Sequence, residues 1–417
     1  MSERTRCVVV GGGPAGIVLG LLLARAGVEV TVLEKHTDFL RDFRGDTVHP
    51  STLRLLDDLG LGARFAALPI SRLEQMRVRI GSSTVVMADF RRIPGPHKYL
   101  AMVPQWEFLD LLARAAAEEP AFTLRTGCAV TGLLRAEDGR VTGVRYRDAD
   151  DTARELTADL TVGCDGRWSV VRRAADLPVI CFDIPMDVWQ IRIPKTHAAY
   201  SGEVVGCFGR GRVAVTMDRG DYFQTAYLIE KGSDTARRAQ PLADLRADLA
   251  ELLRLPGGTT EYPRSWDEVK LLRTEMNRLR RWYADGLLCL GDAAHTMSPV
   301  GGVGVNLAIQ DAVAAARILA EPLRRGRVRT ADLARVQRRR AWPTAVTQRS
   351  QLGEHDMLLR PALARTLDED RLPVPVRALR RVPMLRGVSA YLGGIGVRPE
   401  RAPDFARRPE PDTVSDS

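Results

Sequence analysis

Residues 6–34 read RCVVVGGGPAGIVLGLLLARAGVEVTVLE, and this stretch decides the fold. The short, unbroken apolar run up to Val10 is the pattern of a strand buried on both faces. A glycine turn, GGGPAG, leads into an apolar helix that ends at Gly27, and a second strand, EVTVLE, ends at Glu34. Together these make one β-α-β unit. Gly11, Gly13 and Gly16 fit GxGxxG at the strand–helix junction. The first permits a tight turn, the second lets backbone approach a pyrophosphate, and the third allows helix and strand to pack closely. The helix N-terminus, with Pro14 and Ala15 in its first turn, offers unpaired N–H groups and a positive dipole end to phosphates. Glu34, followed by Lys35, stands about 20 residues further on, where it would accept hydrogen bonds from ribose hydroxyls. The pattern predicts a dinucleotide site and leaves NAD(P) and FAD both open.

A second glycine-rich stretch, GDAAHTMSPVGGVGVNLAIQDA, begins at Gly291. The apolar run before it delivers Asp292 at the carboxyl end of a strand. Beyond Ser298 and Pro299, Gly301, Gly302 and Gly304 lead into the helix VNLAIQDAVAAARIL. That arrangement aims a second helix N-terminus at a ligand and favours negative charge there. Reduced flavin is an anion, and Asp292 would hold the polyol chain between its ring and the phosphates. NAD has no such middle section, so the late motif selects FAD. A third piece agrees: the strand LTVGCDG ends in Asp165-Gly166 and runs on through RWSVVRR into a helix.

The order of patterns predicts an α/β protein: a Rossmann-like FAD-binding domain with an inserted antiparallel-sheet substrate domain and C-terminal helices. Residues 1–70, 101–178 and 275–330 would form the discontinuous FAD-binding domain. Residues 71–100 and 179–274, extended and alternating, would form the substrate-binding sheet. Residues 331–395 read as helical, and the Pro-rich, charged segment 396–417 as disordered. Ser51 fits the N-cap of a helix that Gly60 would end. Residues 121–162 read as a β-meander, and 241–254 as an amphipathic helix.

Composition narrows the class. The chain of 417 residues is 45% hydrophobic and long enough for more than one domain. No run of about 18 uninterrupted apolar residues marks a membrane span, and the N-terminus lacks a secretion signal, so a cytoplasmic protein is expected. The six cysteines are scattered without a CxxC pair, which points away from a disulfide framework or a metal site. The charge of +9 comes from an Arg-rich surface in which only five of the 61 basic residues are Lys. With few aromatics and no recognition motif, it does not read as a nucleic-acid binder.

The segments GGGPAG, GCDGRWSVVR and GDAAHTMSPVGGVGVN stand in the order and spacing of the para-hydroxybenzoate hydroxylase family of single-component FAD monooxygenases, which the chain resembles over about residues 5–325. The resemblance implies roles residue by residue. Gly11, Gly13, Gly16 and Glu34 would bind the ADP half of FAD, and Arg44 would contact FAD and assist NADPH. Gln105 would lie against the cofactor, Asp165 in the groove shared by FAD and the nicotinamide donor, and Asp292 on the ribityl hydroxyls. Pro299 would border the flavin ring, while Gly291 belongs to the same turn. The backbone of Gly302, Val303, Gly304, Val305 and Asn306 would contact the pyrimidine edge.

NADPH or NADH would bind transiently, reduce FAD and leave. A C4a-hydroperoxyflavin formed with dioxygen would then hydroxylate an aromatic or other electron-rich small molecule. The flavin carries that redox chemistry, and the protein supplies positioning and exclusion of water. His49 and His295 are the histidines near the expected flavin, and thus the candidate bases for a phenolic substrate. Trp189, Ile191, Phe208, Met217, Phe223 and Tyr227 are candidate pocket residues, of which two or three would touch substrate, because strand alternation sends one face elsewhere.

Two other enzymes compete with that reading, and a third is a variant of it. A flavin-dependent halogenase needs a Lys near the flavin, and Lys35 and Lys98 fit poorly. A prenyl-type reductase would not use oxygen productively. A ubiquinone-type ring hydroxylase would touch a membrane through the C-terminal helices, which equally leave room for a homodimer surface. A non-enzymatic flavin-binding scaffold is opposed by the intact motif set.

Overall fold

The computed structural model describes residues 3–40, 47–194, 204–209, 211–219, 221–255, 260–367 and 372–409. Five strands lie parallel, in the spatial order Leu287–Cys289, Ala153–Gly163, Glu3–Val10, Val30–Leu33 and Phe122–Arg125. Their continuous Val and Leu runs are buried, as parallel strands covered on both faces require. The helix Pro14–Arg25 is apolar all round and buried against the helices Gln105–Ala117 and Gly304–Arg324. Helix Gly304–Arg324 belongs to a run, Val300–Arg324, with the length and apolarity to cross a membrane. However, 78% of that apolar window is buried inside the fold, as in the core helix of a folded domain.

The expected meander holds only in part. Ala129–Arg135, Val141–Arg147 and the first half of Ala153–Gly163 do pair antiparallel. Phe122–Arg125 instead joins the parallel sheet beside Val30–Leu33. It follows the crossover helix Gln105–Ala117, and a strand reached through such a crossover returns parallel.

A second sheet has seven strands, in the order Lys270–Leu272, Met186–Pro194, Tyr222–Glu230, Arg212–Asp218, Val204–Gly209, Gln75–Ile80 and Ser83–Asp89. All its pairings are antiparallel except Val204–Gly209 with Gln75–Ile80. The helix Leu242–Leu253 covers one face, burying Leu245, Leu249 and Leu253 against it. Residues C-terminal to Thr330 form the helices Thr330–Glu354, Val374–Arg381 and Pro383–Gly394, and Pro383–Gly394 packs on Ser83–Asp89.

Two local expectations need correction. The helix after His49 runs Pro50–Asp58 with His49, not Ser51, at its N-cap. Pro50 is well suited to the first helical position, and the Ser51 hydroxyl instead donates to Asn306 Oδ1 at 2.8 Å. Gly60 does follow that helix with a left-handed backbone (φ +70°). The C-terminal segment 398–408 is packed rather than disordered, because its charges and carbonyls have specific partners. Arg401 makes a bidentate pair with Asp58 (2.7 and 2.8 Å), and Glu400, 3% exposed, pairs with Arg339. Arg25 donates to the Ala406 carbonyl. Residues 410–417 lie outside the described residues.

Candidate active site

Four adjacent parallel strands end at Val10, Leu33, Gly163 and Cys289, and thereby bring Gly11, Glu34, Asp165 and Asp292 to one edge of the sheet. Ligands of open α/β sheets bind outside that edge. A Cβ on Gly11 would stand 2.5 Å from the Cys164 carbonyl oxygen, so the first and third motifs meet backbone to backbone. A Cβ on Gly16 would collide with the carbonyl of Gly11. Gly13 differs: nothing lies within 4 Å of where its Cβ would be, and its backbone is one that any residue adopts. Pro14 and Ala15 follow it as the first helical residues. Glu34 is buried and accepts from the backbone N–H groups of Gly12 (2.8 Å) and His36 (3.0 Å), whereas Lys35 is exposed.

The late motif joins the same edge. A Cβ on Gly291 would lie 3.0 Å from that of Ala308 and 3.5 Å from that of Ala15, so the two motif helices pack through this glycine. Asp292, half-buried, comes next. Gly302 has a left-handed backbone (φ +62°), and a Cβ there would stand 2.7 Å from Thr47 Oγ1. Val303 then caps the helix that Gly304, Val305 and Asn306 begin. The Asn306 Oδ1 is taken by the hydroxyls of Ser51 and Thr52, both at 2.8 Å, which leaves its main chain to the site. Pro299 is exposed. Gln105 is half-buried at the start of a helix whose preceding strand, Leu100–Met102, pairs with Thr47–Val48. Arg44 lies outside the described residues.

This edge fits FAD. Asp165 Oδ2 accepts from the Val171 N–H at 3.1 Å, while its buried Oδ1 has no partner in the protein. Burial pushes this carboxyl above the usual range, against the donors of Ser169 and Val171. An unpaired buried oxygen costs about 1–3 kcal/mol, which a cofactor hydroxyl would recover. The open space at Gly13 and the helix start at Gly304 would supply the other two contacts that phosphates and an anionic ring need.

Both candidate bases are buried, each 1% exposed. His49 is buried with Nδ1 3.0 Å from the Gly393 carbonyl and Nε2 3.0 Å from that of Gly302. Burial lowers its pKa, which favours the neutral ring; that ring donates to one of the two carbonyls, and its other nitrogen, unprotonated, faces the second without a hydrogen bond. It ties the Gly302 turn to the C-terminal helices. His295 is 1% exposed, its Nε2 lies 2.5 Å from Asp311 Oδ2, and its ring packs on Trp282. His295 Nδ1, also buried, has no partner in the protein, and neither ring reaches the surface at which a substrate would arrive.

Asp311 is a residue that motif reading missed. Fully buried, it also accepts from Arg340 Nε at 2.9 Å and from the Gly291 N–H at 3.3 Å. Arg340, itself buried, reaches the Arg398 carbonyl at 3.0 Å and lies 3.6 Å from Glu400. The only available signal was an acidic residue in the middle of an apolar helix. His355 was missed too. It is buried, and its Nε2 lies 2.9 Å from Ser298 Oγ, which fixes the residue before Pro299.

The pocket candidates divide by strand register. Trp189, Ile191, Phe223 and Tyr227 point at the helix Leu242–Leu253 and form its core. Trp189 Nε1 donates to Asp234 and the Tyr227 hydroxyl to Asp248, both on the covered side. These four are corrected to structural residues. Phe208 and Met217 lie on the opposite face. That face also carries Val188, Ala226, Val215, Val78 and Met76, and Val300, the residue after Pro299, packs into the same cluster as Val188 and Ala226. Ala226, Val215, Met217, Val78 and Met76 are all only half-buried, unlike their neighbours under the helix.

Comparison with known proteins gives one consistent result. The family profile described as FAD binding domain matches residues 4–350. The 6-methylpretetramide 4-monooxygenase of Streptomyces rimosus is 35% identical over 363 residues, covering 85% of this chain and 85% of that protein. The 3-hydroxybenzoate 6-hydroxylase of Klebsiella oxytoca is 27% identical over 344 residues, covering 77% of this chain and 81% of its own length. Among solved structures, the anhydrotetracycline hydroxylase OxyS of Streptomyces rimosus superposes with a TM-score of 0.73 at 25% identity, covering 96% of this chain and 77% of that one. Some relatives are longer, and the chain spans 61% of their length.

Proposed function

The chain belongs to the FAD binding domain family and is an FAD-dependent monooxygenase, and from that premise we propose that it hydroxylates a polycyclic phenolic aromatic. The observation that carries the reading is the half-buried apolar floor of the second sheet. Ala226, Val215 and Val78 belong to strands three spacings apart, about 14 Å at ~4.8 Å per spacing. A floor of that length suits several fused rings better than a single small acid. It faces the side on which Val300 follows Pro299. Two relatives whose names give polycyclic substrates support the same class.

When bound, FAD takes electrons from NADPH or NADH and passes one atom of dioxygen to the substrate. In our reading, Glu34 and the Gly11–Gly13 turn hold the nucleotide end, and Asp165 Oδ1 accepts from a cofactor hydroxyl. Asp292 steadies the middle of the molecule. The N–H groups at Gly304 face negative charge at the ring. Apolar side chains around the floor keep water from the reacting atoms. Lys35 and Lys98 are both exposed, which counts against a halogenase lysine beside the ring. Dependence on a reduced nicotinamide donor favours a cytoplasmic setting.

The test is anaerobic reduction of the FAD-loaded protein by NADPH and NADH, with one-ring and four-ring phenols, followed by air. Four-ring phenols are expected to accelerate bleaching and to return with one added oxygen. Acceleration by one-ring phenols alone would refute the substrate class. Bleaching without any oxygenated product would point to a reductase.

A further inference from the structure

On the face of the second sheet opposite Leu242–Leu253, Gln190 stands between Val188 and Arg192, with Ala226 and Lys270 as its cross-strand neighbours. It points away from Trp189 and Ile191, toward the apolar floor. Its side chain is 9% exposed, and its Oε1 has no hydrogen-bond partner in the protein. The nearby glutamine on the same face is different. Gln224 Oε1 accepts from both Nε and Nη2 of Arg219, each at 3.0 Å. A buried carboxamide oxygen with nothing to accept from destabilises the free protein. Its neighbours are Val188 and Arg192 along the strand, Ala226 and Lys270 across it and Leu228 on the diagonal, and none of them is hydrogen-bonded to Oε1. A group that costs stability while aimed at a binding surface is explained by the ligand it meets.

We infer that the Gln190 carboxamide hydrogen-bonds a hydroxyl on the substrate, at the end of the floor nearest Met186–Pro194, and so selects free phenols over their ethers. This rests on the proposed substrate class, since Gln190 adjoins the floor that defines it. A phenolic O–H can donate to Oε1, and a methyl ether cannot. Discrimination of this kind is strong because the wrong ligand leaves the protein's polar atom unpaired.

The experiment uses the FAD-loaded enzyme and matched pairs of phenols and methyl ethers, in one-ring and four-ring versions, with affinity read from the perturbation of flavin absorbance. Wild type is expected to prefer the phenol of a pair about tenfold, and Gln190→Leu to lose that preference to within about twofold. Without substrate, Gln190→Leu should melt at or above the wild-type temperature, which a structural glutamine would not allow. An undiminished preference in the variant, or a clear fall in its melting temperature, overturns the assignment. Binding confined to the one-ring pairs would end the polycyclic reading, while Gln190 would still be judged within those pairs.

Discussion

At the scale of single residues, the two ends of the first turn make opposite predictions. Gly16 is closed in: any side chain there meets the Gly11 carbonyl, so the turn itself must deform. Gly13 faces open space with an ordinary backbone, so a methyl group costs the empty protein nothing. Gly16→Ala should therefore lower the melting temperature of the FAD-free protein by several degrees. Gly13→Ala should leave it within about 1 °C while weakening FAD at least tenfold, by filling the space where backbone approaches pyrophosphate. Calorimetry of the FAD-free proteins and FAD titration by fluorescence check both; equal effects in the two variants would contradict the distinction. Such turns are legible in sequence because their constraint is local. The surroundings of His49 and His295 were not, because the carbonyls and the carboxylate beside them come from residues distant in sequence.

At the scale of elements, the helix Gly304–Arg324 has two parts: its first turn lies at the edge proposed for the cofactor, and its interior carries Asp311. Burial pushes the Asp311 carboxyl up, but His295 and Arg340 pull it down further, so it titrates below the usual aspartate range. A depressed carboxyl contributes stability that is fully present above the ordinary pKa of about 4 and is lost as pH falls through the lower folded value. Asp311→Ala strands Arg340 in the interior with only the Arg398 carbonyl, Gln310 and Glu400 near it. The expected loss is about 3 kcal/mol at pH 7, the low end for a broken buried pair because Glu400 remains. Urea unfolding from pH 7 to 3 should show wild type losing more stability below pH 4 than the variant does. Parallel slopes would remove Asp311 from the acid response. The register of the second sheet belongs to this scale as well. Alternation predicts two faces, but both are apolar; Leu242–Leu253 docks on one, and Leu358, Leu359, Ala362 and Leu363 cover part of the other.

At the scale of the whole molecule, the cofactor edge gathers segments around residues 11, 34, 165 and 302, and the C-terminal segment is fastened to the back of that assembly. Its sequence reads as disordered because it is rich in Pro and charge. Its order comes from partners that composition does not reveal: Asp58 for Arg401, Arg339 and Arg340 for Glu400, and Arg25 for the Ala406 carbonyl. A chain ending at Val397 would lose the Arg398 carbonyl and Glu400 from around the buried Arg340, and with them part of the clamp on Asp311 and Gly291. Arg401→Ala removes only a half-exposed ion pair and should cost no more than about 1 kcal/mol. The truncated chain should melt well below that variant and release FAD more readily. Cofactor binding stabilises the folded state by about 2.7 kcal/mol at one hundred times its dissociation constant, so excess FAD should recover part of the loss. Melting temperatures with and without excess FAD, across the full chain, Arg401→Ala and the truncated chain, decide the matter. If truncation costs no more than the single substitution, the segment is held by its surface pair alone, and the path from Glu400 through Arg340 and Asp311 to the Gly291 turn carries no load.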